Sequence, residues 1–95
     1  MDIAQADIVR SIAGRDKGKL FFVLQDGGDG FLLLADGRER RVERPKRKKH
    51  KHVQATRAPS TRTAEKIRRG EAVSNRELRN TLAQLRGAGN PDQEG

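Results

Sequence analysis

Two short apolar runs, with a glycine-rich segment between them, constrain the fold of this chain more than any other feature. Residues 20–24 read LFFVL, residues 31–35 read FLLLA, and residues 26–30 contain three glycines. Apolar runs of roughly four to eight residues between turn signals are typical of buried strands, because helices run longer. A strand exposed on one face would alternate apolar and polar residues, and neither run does. The runs therefore predict strands whose side chains are covered on both faces of the sheet. On one of the two faces, the covering element must lie outside the sheet core.

The flanking segments extend this pattern to an all-β domain. Residues 7–12 form a further candidate strand, and a loop with two glycines follows it. The dipeptide Asp36-Gly37 is typical of a two-residue hairpin turn, which predicts a fourth strand over residues 38–43. Pro45 has no N–H to give to a ladder and is expected to end that strand. Only 33% of the chain is hydrophobic, and these strands hold much of it. The sequence predicts one small barrel or sandwich.

The C-terminal third contains a well-marked helix. Ser74 and Glu77 match a capping box, in which each side chain binds the backbone N–H of the other residue at a helix N-terminus. Gly87 is the expected stop. Apolar residues recur on one helical face, at Leu78, Leu82 and Leu85. The pattern predicts an amphipathic helix over residues 74–86.

A second, shorter helix is predicted over residues 63–69, with Ala64 and Ile67 as its apolar positions and Gly70 at its end. Helices of fewer than about 12 to 15 residues are marginal in water unless they pack against something. Both helices are therefore expected to dock, either on the barrel or on a partner.

Positive charge is concentrated in one segment. The net charge is +8, and residues 38–52 alone contain nine Lys or Arg against two Glu. A polyanion would therefore be attracted to one part of the surface rather than to all of it. The residues predicted to contact the phosphates of a nucleic acid are the cations of this segment and of the first glycine loop, namely Arg15, Lys17, Lys19, Arg38, Arg40, Arg41, Arg44, Lys46, Arg47, Lys48, Lys49 and Lys51.

The signatures of enzymes and metal sites are absent. Residues 14–19 resemble a phosphate-binding P-loop but are one residue short and lack its Ser or Thr. No cysteine is present, and His50 and His52 have no third ligand nearby. The sequence also has no apolar run of about 18 residues, and Asp2 after Met1 does not fit a basic, then apolar leader. We expect a cytoplasmic protein without catalytic residues, metal or cofactor.

Aromatic residues are few. The chain has no Trp or Tyr, and its three phenylalanines, Phe21, Phe22 and Phe31, all lie in the predicted strands. They are expected to belong to the core. Readers of single-stranded nucleic acid expose aromatic rings on which bases stack. The composition therefore favours recognition of backbone and shape over recognition of base sequence.

Several segments resemble one known family. Residues 7–19, DIVRSIAGRDKGK, resemble the KOW motif, which occurs in several large-subunit ribosomal proteins and in transcription elongation factors. Residues 34–38, LADGR, and 42–52, VERPKRKKHKH, are similar to the KOW ribosomal proteins of archaea and eukaryotes. The likeness is closer still to the small bacterial KOW-domain RNA-binding proteins of about this length. The tail at 71–79, EAVSNRELR, is also similar to theirs.

The resemblance implies an SH3-like barrel that contacts ribosomal or other structured RNA, with Gly14, Lys17 and Gly18 at the motif loop. Many KOW motifs carry a further glycine two residues after the position of Lys19, where this chain has Phe21. Gly14 and Gly18 are expected to serve the geometry of the turn.

Together these features predict a mainly β protein, a small SH3-like KOW barrel followed by a basic segment and one or two short C-terminal α-helices. The expected parts are a barrel with a basic strand end over residues 1–53, a linker over 54–61, a helical tail over 62–88 and a disordered end over 89–95. The predicted function is binding of ribosomal or other structured RNA, associated with the ribosome or translation, by a protein that is monomeric when free. The alternative is a protein-interaction adaptor that uses the apolar barrel surface and the C-terminal helix.

Overall fold

The computed structural model describes residues 3–88 as one five-stranded antiparallel sheet with two helices. The strands are β1 (Ile8–Ser11), β2 (Leu20–Gly28), β3 (Phe31–Ala35), β4 (Lys46–Lys49) and β5 (Val53–Arg57), with a 3-10 turn at His50–His52, and the helices are α1 (Arg62–Arg68) and α2 (Asn75–Ala88). The order across the sheet is β4-β3-β2-β1-β5. The predicted mainly β class is confirmed. The segment 89–95, predicted to be a disordered end, lies outside the described residues.

The two edge strands are connected directly by the 3-10 turn His50–His52, which requires the sheet to curl. The N–H of His50 donates to the carbonyl of Gly30 (2.9 Å), and the N–H of Ile12 donates to the carbonyl of His52 (2.9 Å). The curled sheet encloses an inner cluster, which consists of Val9, Phe21, Val23, Leu32, Leu34 and Val53. These side chains come from four of the five strands.

The opposite face of the sheet carries a second apolar layer, the outer cluster. It joins residues of the strands to residues of both helices, and its buried members are Ala6, Ile8, Phe22, Ala35, Ala64, Ile67, Leu78 and Leu82. Alternation along β2 therefore sends Phe21 and Val23 to the inner cluster and Phe22 to the outer cluster. The expectation that the apolar runs are covered on both faces is confirmed, and the covering elements are α1 and α2.

Local capping interactions start both helices within one residue of the predicted positions, at Arg62 rather than residue 63 and at Asn75 rather than residue 74. The side chain of Thr61 accepts from the N–H of Ala64 (3.2 Å) at the start of α1. In α2 the capping box is formed, with the N–H of Glu77 donating to Ser74 Oγ (3.1 Å) and the N–H of Ser74 donating to Glu77 Oε1 (2.8 Å). The predicted stop at Gly87 is wrong, since α2 continues to Ala88. Neither helix has the length and apolar character needed to cross a membrane.

The predicted fourth strand over residues 38–43 is wrong, because residues 36–45 form a loop. Asp36 Oδ1 accepts from the N–H groups of both Arg38 (2.8 Å) and Arg40 (3.0 Å), so these donors are satisfied inside the loop. Pro45 does not end a strand either. It precedes β4, which begins at the next residue.

β5 occupies part of the predicted linker at 54–61. It pairs with β1 at the edge of the sheet, and Val53 is its only buried residue. A strand with one buried side chain leaves no alternating apolar pattern, which explains why periodicity did not reveal it. β2 is also longer than predicted and reaches Gly28 through two register shifts, so that only Asp29 and Gly30 remain to turn the chain.

Candidate nucleic-acid interface

The basic segment at residues 38–52 is divided among three elements: the loop 36–45, the edge strand β4 and the 3-10 turn. In β4, Lys46 and Lys48 pair with Leu34 and Leu32, which belong to the inner cluster. Arg47 and Lys49 pair with Leu33 and Phe31 and point to the other face. The four consecutive cations of β4 are therefore split evenly between the inner and outer faces.

Lys48 is buried, although the sequence places it among the RNA contacts. Its side chain lies under the curled sheet with 8% of the residue exposed, and Nζ donates to the carbonyl of Ala13 (2.9 Å). A buried ammonium group must be hydrogen-bonded to be tolerated, and this bond also ties the motif loop to β4. Lys48 thus positions the motif loop, and its ammonium group is not exposed for contact with RNA.

Phe31, expected in the core, belongs to neither cluster and is half-buried on the outer face of the sheet. The guanidinium carbon of Arg47 lies 3.8 Å from the centre of its ring. Nζ of Lys49 lies 5.9 Å from the same centre. The helices cover the Ala35 end of β3, and the cations of β4 flank the Phe31 end.

The motif loop, residues 12–19, is held by its own backbone. The N–H of Gly18 donates to the carbonyl of Ser11 (2.8 Å), and the N–H of Lys19 donates to that of Asp16 (2.9 Å). Gly14 and Gly18 have φ values of +77° and +92°, which favour glycine. These values support the expected role of both glycines in turn geometry. The side chains of Arg15 and Lys17 are exposed at the top of this rigid loop.

Two of the predicted contact residues are engaged by carboxylates. Lys19 forms an ion pair with Glu39, which raises the pKa of Lys19 and lowers the pKa of Glu39 through their hydrogen bond. Arg40 pairs with the buried carboxylate of Asp16 (3.4 Å). These pairs connect the motif loop to the loop 36–45. They also neutralise part of the positive charge there.

Nine of the twelve predicted contact residues remain after Lys48 and the two paired cations are removed. Within residues 3–88 these nine form no ion pair, and all except the half-buried Lys46 are exposed. They are Arg15, Lys17, Arg38, Arg41, Arg44, Lys46, Arg47, Lys49 and Lys51. We call this set the basic surface.

The N-terminus of α2 holds the loop that carries Arg38, Arg41 and Arg44. Asn75 Oδ1 accepts from the N–H of Val42 (2.8 Å), and its Nδ2 donates to Glu43 Oε1 (2.9 Å). This second bond lowers the pKa of the Glu43 carboxyl. No sequence signal identified Asn75 as a residue that positions the site, because its partners lie 32 and 33 residues away.

An open groove lies between the motif loop and the loop 36–45. It has a volume of about 700 Å³ and is lined by Arg10, Gly18, Lys19, Leu20, Asp36, Arg38 and Glu39. Arg10 also donates to the carbonyl of Gly18 (3.0 Å). The groove carries both charge signs, in contrast to β4 and the 3-10 turn, where the side chains are cationic or histidine.

The chain matches no protein-family model, and no curated protein is significantly similar to it.

Proposed function

We propose that this protein binds structured RNA through the basic surface, in association with the ribosome or translation in the cytoplasm. The observation that carries the proposal is that nine of the twelve predicted contact cations are neither buried nor ion-paired within residues 3–88. A sugar-phosphate backbone supplies closely spaced negative charges to such a surface. The protein acts as a binding module, without a catalytic step or a cofactor.

Rigid support favours specific docking over diffuse attraction. β4 is paired with β3, the motif loop is tied to β4 through Lys48, and the loop 36–45 is tied to α2 through Asn75. Cations fixed in this way meet phosphates in a defined arrangement, which selects for the shape of a folded RNA.

We also propose that the curled sheet is an SH3-like KOW barrel. Support comes from the small five-stranded sheet closed over one inner cluster, and from the position of the KOW-like residues 7–19 on β1 and the loop to β2. The sequence likeness to KOW ribosomal proteins is what directs the proposal to ribosomal RNA.

The adaptor alternative gains no support from the fold. The outer face of the sheet and the stripe of Leu78 and Leu82 pack against each other inside the chain. Within residues 3–88, Ile12 is the only large hydrophobic residue that is exposed. A partner would therefore find little continuous apolar surface on the described part of the chain.

Charge reversal tests the proposal. We expect K49E/K51E to weaken binding of a folded ribosomal RNA fragment strongly and to reduce the slope of log K against log salt, by about 0.7 to 0.9 for each phosphate that the variant no longer binds. The matched control is R57E/R62E, which makes the same change of charge at two exposed positions outside the basic surface. Filter binding across a salt series measures the affinity and the salt slope of each variant. Equal weakening by the two variants would show general charge attraction, and no weakening by K49E/K51E would remove β4 and the 3-10 turn from the interface.

Crosslinking in cells tests the ribosomal part of the proposal. Sequencing of the RNA attached to the protein is expected to show one dominant ribosomal RNA site. A diffuse distribution over many transcripts would argue against a ribosomal role while leaving RNA binding intact.

A further inference from the structure

The guanidinium group of Arg47 is held in place from two directions, although the residue is exposed. Its carbon lies 3.8 Å from the centre of the Phe31 ring, which is contact distance. Nε points to the carbonyl of Gly27 (3.4 Å) and Nη2 to that of Gly28 (3.5 Å). These two nitrogens form one edge of the guanidinium plane. One face and one edge are therefore engaged by the protein.

The geometry of the strands places the ring and the two carbonyls around the guanidinium group of Arg47. Arg47 lies on β4 on the same face as Lys49, which pairs with Phe31 across the sheet. A register shift between Asp26 and Gly28 turns the two glycine carbonyls toward Arg47. A Cβ at position 27 would lie 3.3 Å from the backbone and Cβ of Phe31, so a side chain there would crowd the strand that carries the ring.

A fixed guanidinium plane is a stacking surface for nucleobases. Arginine is planar, delocalised and weakly hydrated, and unpaired RNA bases stack on such planes as they do on aromatic rings. In this chain the guanidinium group lies over the Phe31 ring and Arg47 is exposed, so a ligand can reach the residue from solvent. Lys49 lies beside the same ring, with Nζ 5.9 Å from its centre, within reach of a phosphate next to a stacked base.

We propose that Arg47, seated on Phe31, is a stacking platform for one unpaired RNA base, and that Lys49 contacts the phosphate beside that base. The inference rests on the proposed function and extends it from phosphate contact to a class of target. That class is structured RNA with a bulged, looped or terminal nucleotide. It adds stacking of one base to the sequence-based expectation of recognition by backbone and shape.

The test compares two RNAs that differ only at the unpaired nucleotide. One is a perfect duplex, and the other is the same duplex with a single bulged purine. The variant R47K keeps the positive charge but removes the plane. We expect R47K to bind the bulged RNA at least about fivefold more weakly than the unchanged protein and to bind the perfect duplex within about twofold.

Two further variants control the experiment. R57K makes the same chemical change at an exposed arginine outside the basic surface that has no aromatic partner among residues 3–88, and it is expected to bind both RNAs as the unchanged protein does. F31L removes the ring under the guanidinium and is expected to reduce the preference for the bulged RNA, with circular dichroism confirming that the variant is folded. R47K and F31L together should reduce the preference no further than R47K alone, since they disable one platform.

The possible results separate the two proposals. If R47K binds the bulged RNA as the unchanged protein does while K49E/K51E weakens binding of both RNAs, the stacking platform is wrong and phosphate binding stands. If R47K weakens the binding of both RNAs equally, Arg47 is a phosphate contact and the stacking-platform proposal is also wrong. If the unchanged protein binds neither RNA nor the folded ribosomal fragment even at low salt, both proposals fail.

Discussion

Gly37 lies directly against the first residue of α2. A Cβ at this position would lie 2.2 Å from the carbonyl oxygen of Asn75, far inside van der Waals contact. The φ of Gly37 is +81°, and Arg79 Nη1 donates to its carbonyl (2.7 Å). The DG pair that suggested a hairpin turn therefore serves close packing between the loop 36–45 and α2. Only the glycine of the pair has a positive φ, so a type I′ turn is not formed.

Alanine substitutions separate two contributions at Gly37, the cost of a positive φ and the cost of the close contact with α2. We expect G30A, at a glycine with the same φ and open space around it, to lower the free energy of unfolding by about 1 to 2 kcal/mol, the usual penalty for a left-handed residue. G37A carries the same penalty and also displaces the start of α2, so its destabilisation should be clearly larger. Urea denaturation of both variants measures the difference. Equal destabilisation would mean that α2 moves away from the loop without cost.

Lys48 is a second single residue that departs from the expectation. It shows that composition alone does not predict which cations of a run are exposed. Its neighbours Arg47 and Lys49 are exposed, but alternation along β4 directs Lys48 under the sheet, where its ammonium group binds the Ala13 carbonyl. Charge counts over residues 38–52 thus overstate the charge that RNA can meet.

Among the elements, α1 and α2 are joined by polar contacts as well as by the outer cluster. Lys66 Nζ donates to Glu77 Oε2 (2.7 Å), and the hydroxyls of Thr63 and Thr81 share a buried hydrogen bond (2.8 Å). The same Glu77 completes the capping box with Ser74. One carboxylate therefore starts α2 and connects it to α1.

The Glu77 carboxylate should make helix docking sensitive to acid. Its pKa is lowered from the ordinary value of 4.5, first by the hydrogen bond from Lys66 and next by the N–H of Ser74. A lowered pKa in the folded state stabilises the fold above pH 4.5, and this contribution disappears as the pH falls through the lowered value. We expect the stability of the unchanged protein to fall below about pH 4.5 more steeply than that of E77Q.

Urea denaturation between pH 7 and pH 3 measures this difference. K66M removes the main cause of the lowered pKa and keeps the Ser74 N–H, so its acid dependence should lie between the other two. Parallel curves for E77Q and the unchanged protein would show that Glu77 is as easily protonated in the folded chain as in the unfolded one.

At the scale of the whole molecule, the sheet is a shared middle layer. The inner cluster lies on one of its faces and the outer cluster on the other, and Phe21, Phe22 and Val23 supply both from consecutive positions of β2. A sheet with both faces buried depends on the helices as much as on its own strands. Because the outer cluster joins the strands to both helices, we expect the sheet and the helices to fold as one unit.

A substitution in α2 tests whether the helices and the sheet unfold together. L82A removes a buried side chain of the outer cluster and should cost about 2 to 5 kcal/mol of stability, whereas Q84A, at an exposed position of the same helix, should cost little. The destabilisation should appear at the same urea concentration in NMR signals from β2 and from α2. Melting of α2 before β2 would show that the helices are an independent layer.

Local patterns in the sequence determined a large part of this structure. β1 lies within the candidate strand at residues 7–12, β3 and the start of β2 follow from apolar runs beside a glycine-rich segment, and the start of α2 follows from two capping residues three positions apart. Such signals depend on the pleat of a strand or the turn of a helix, which are properties of neighbouring residues. The concentration of positive charge before residue 53 is likewise visible without a structure.

The tertiary structure alone decided the rest. The loop 36–45 replaces a strand because Asn75, 33 residues after Val42, supplies the acceptor for its N–H. Lys48 is removed from the basic surface by Ala13, 35 residues away, and the carbonyls of Gly27 and Gly28 orient Arg47 from another strand. Each of these outcomes depends on which distant groups meet when the sheet curls and the helices dock. Hydrogen bonds and burial between such groups outweigh local preference, and no window of neighbouring residues contains both partners.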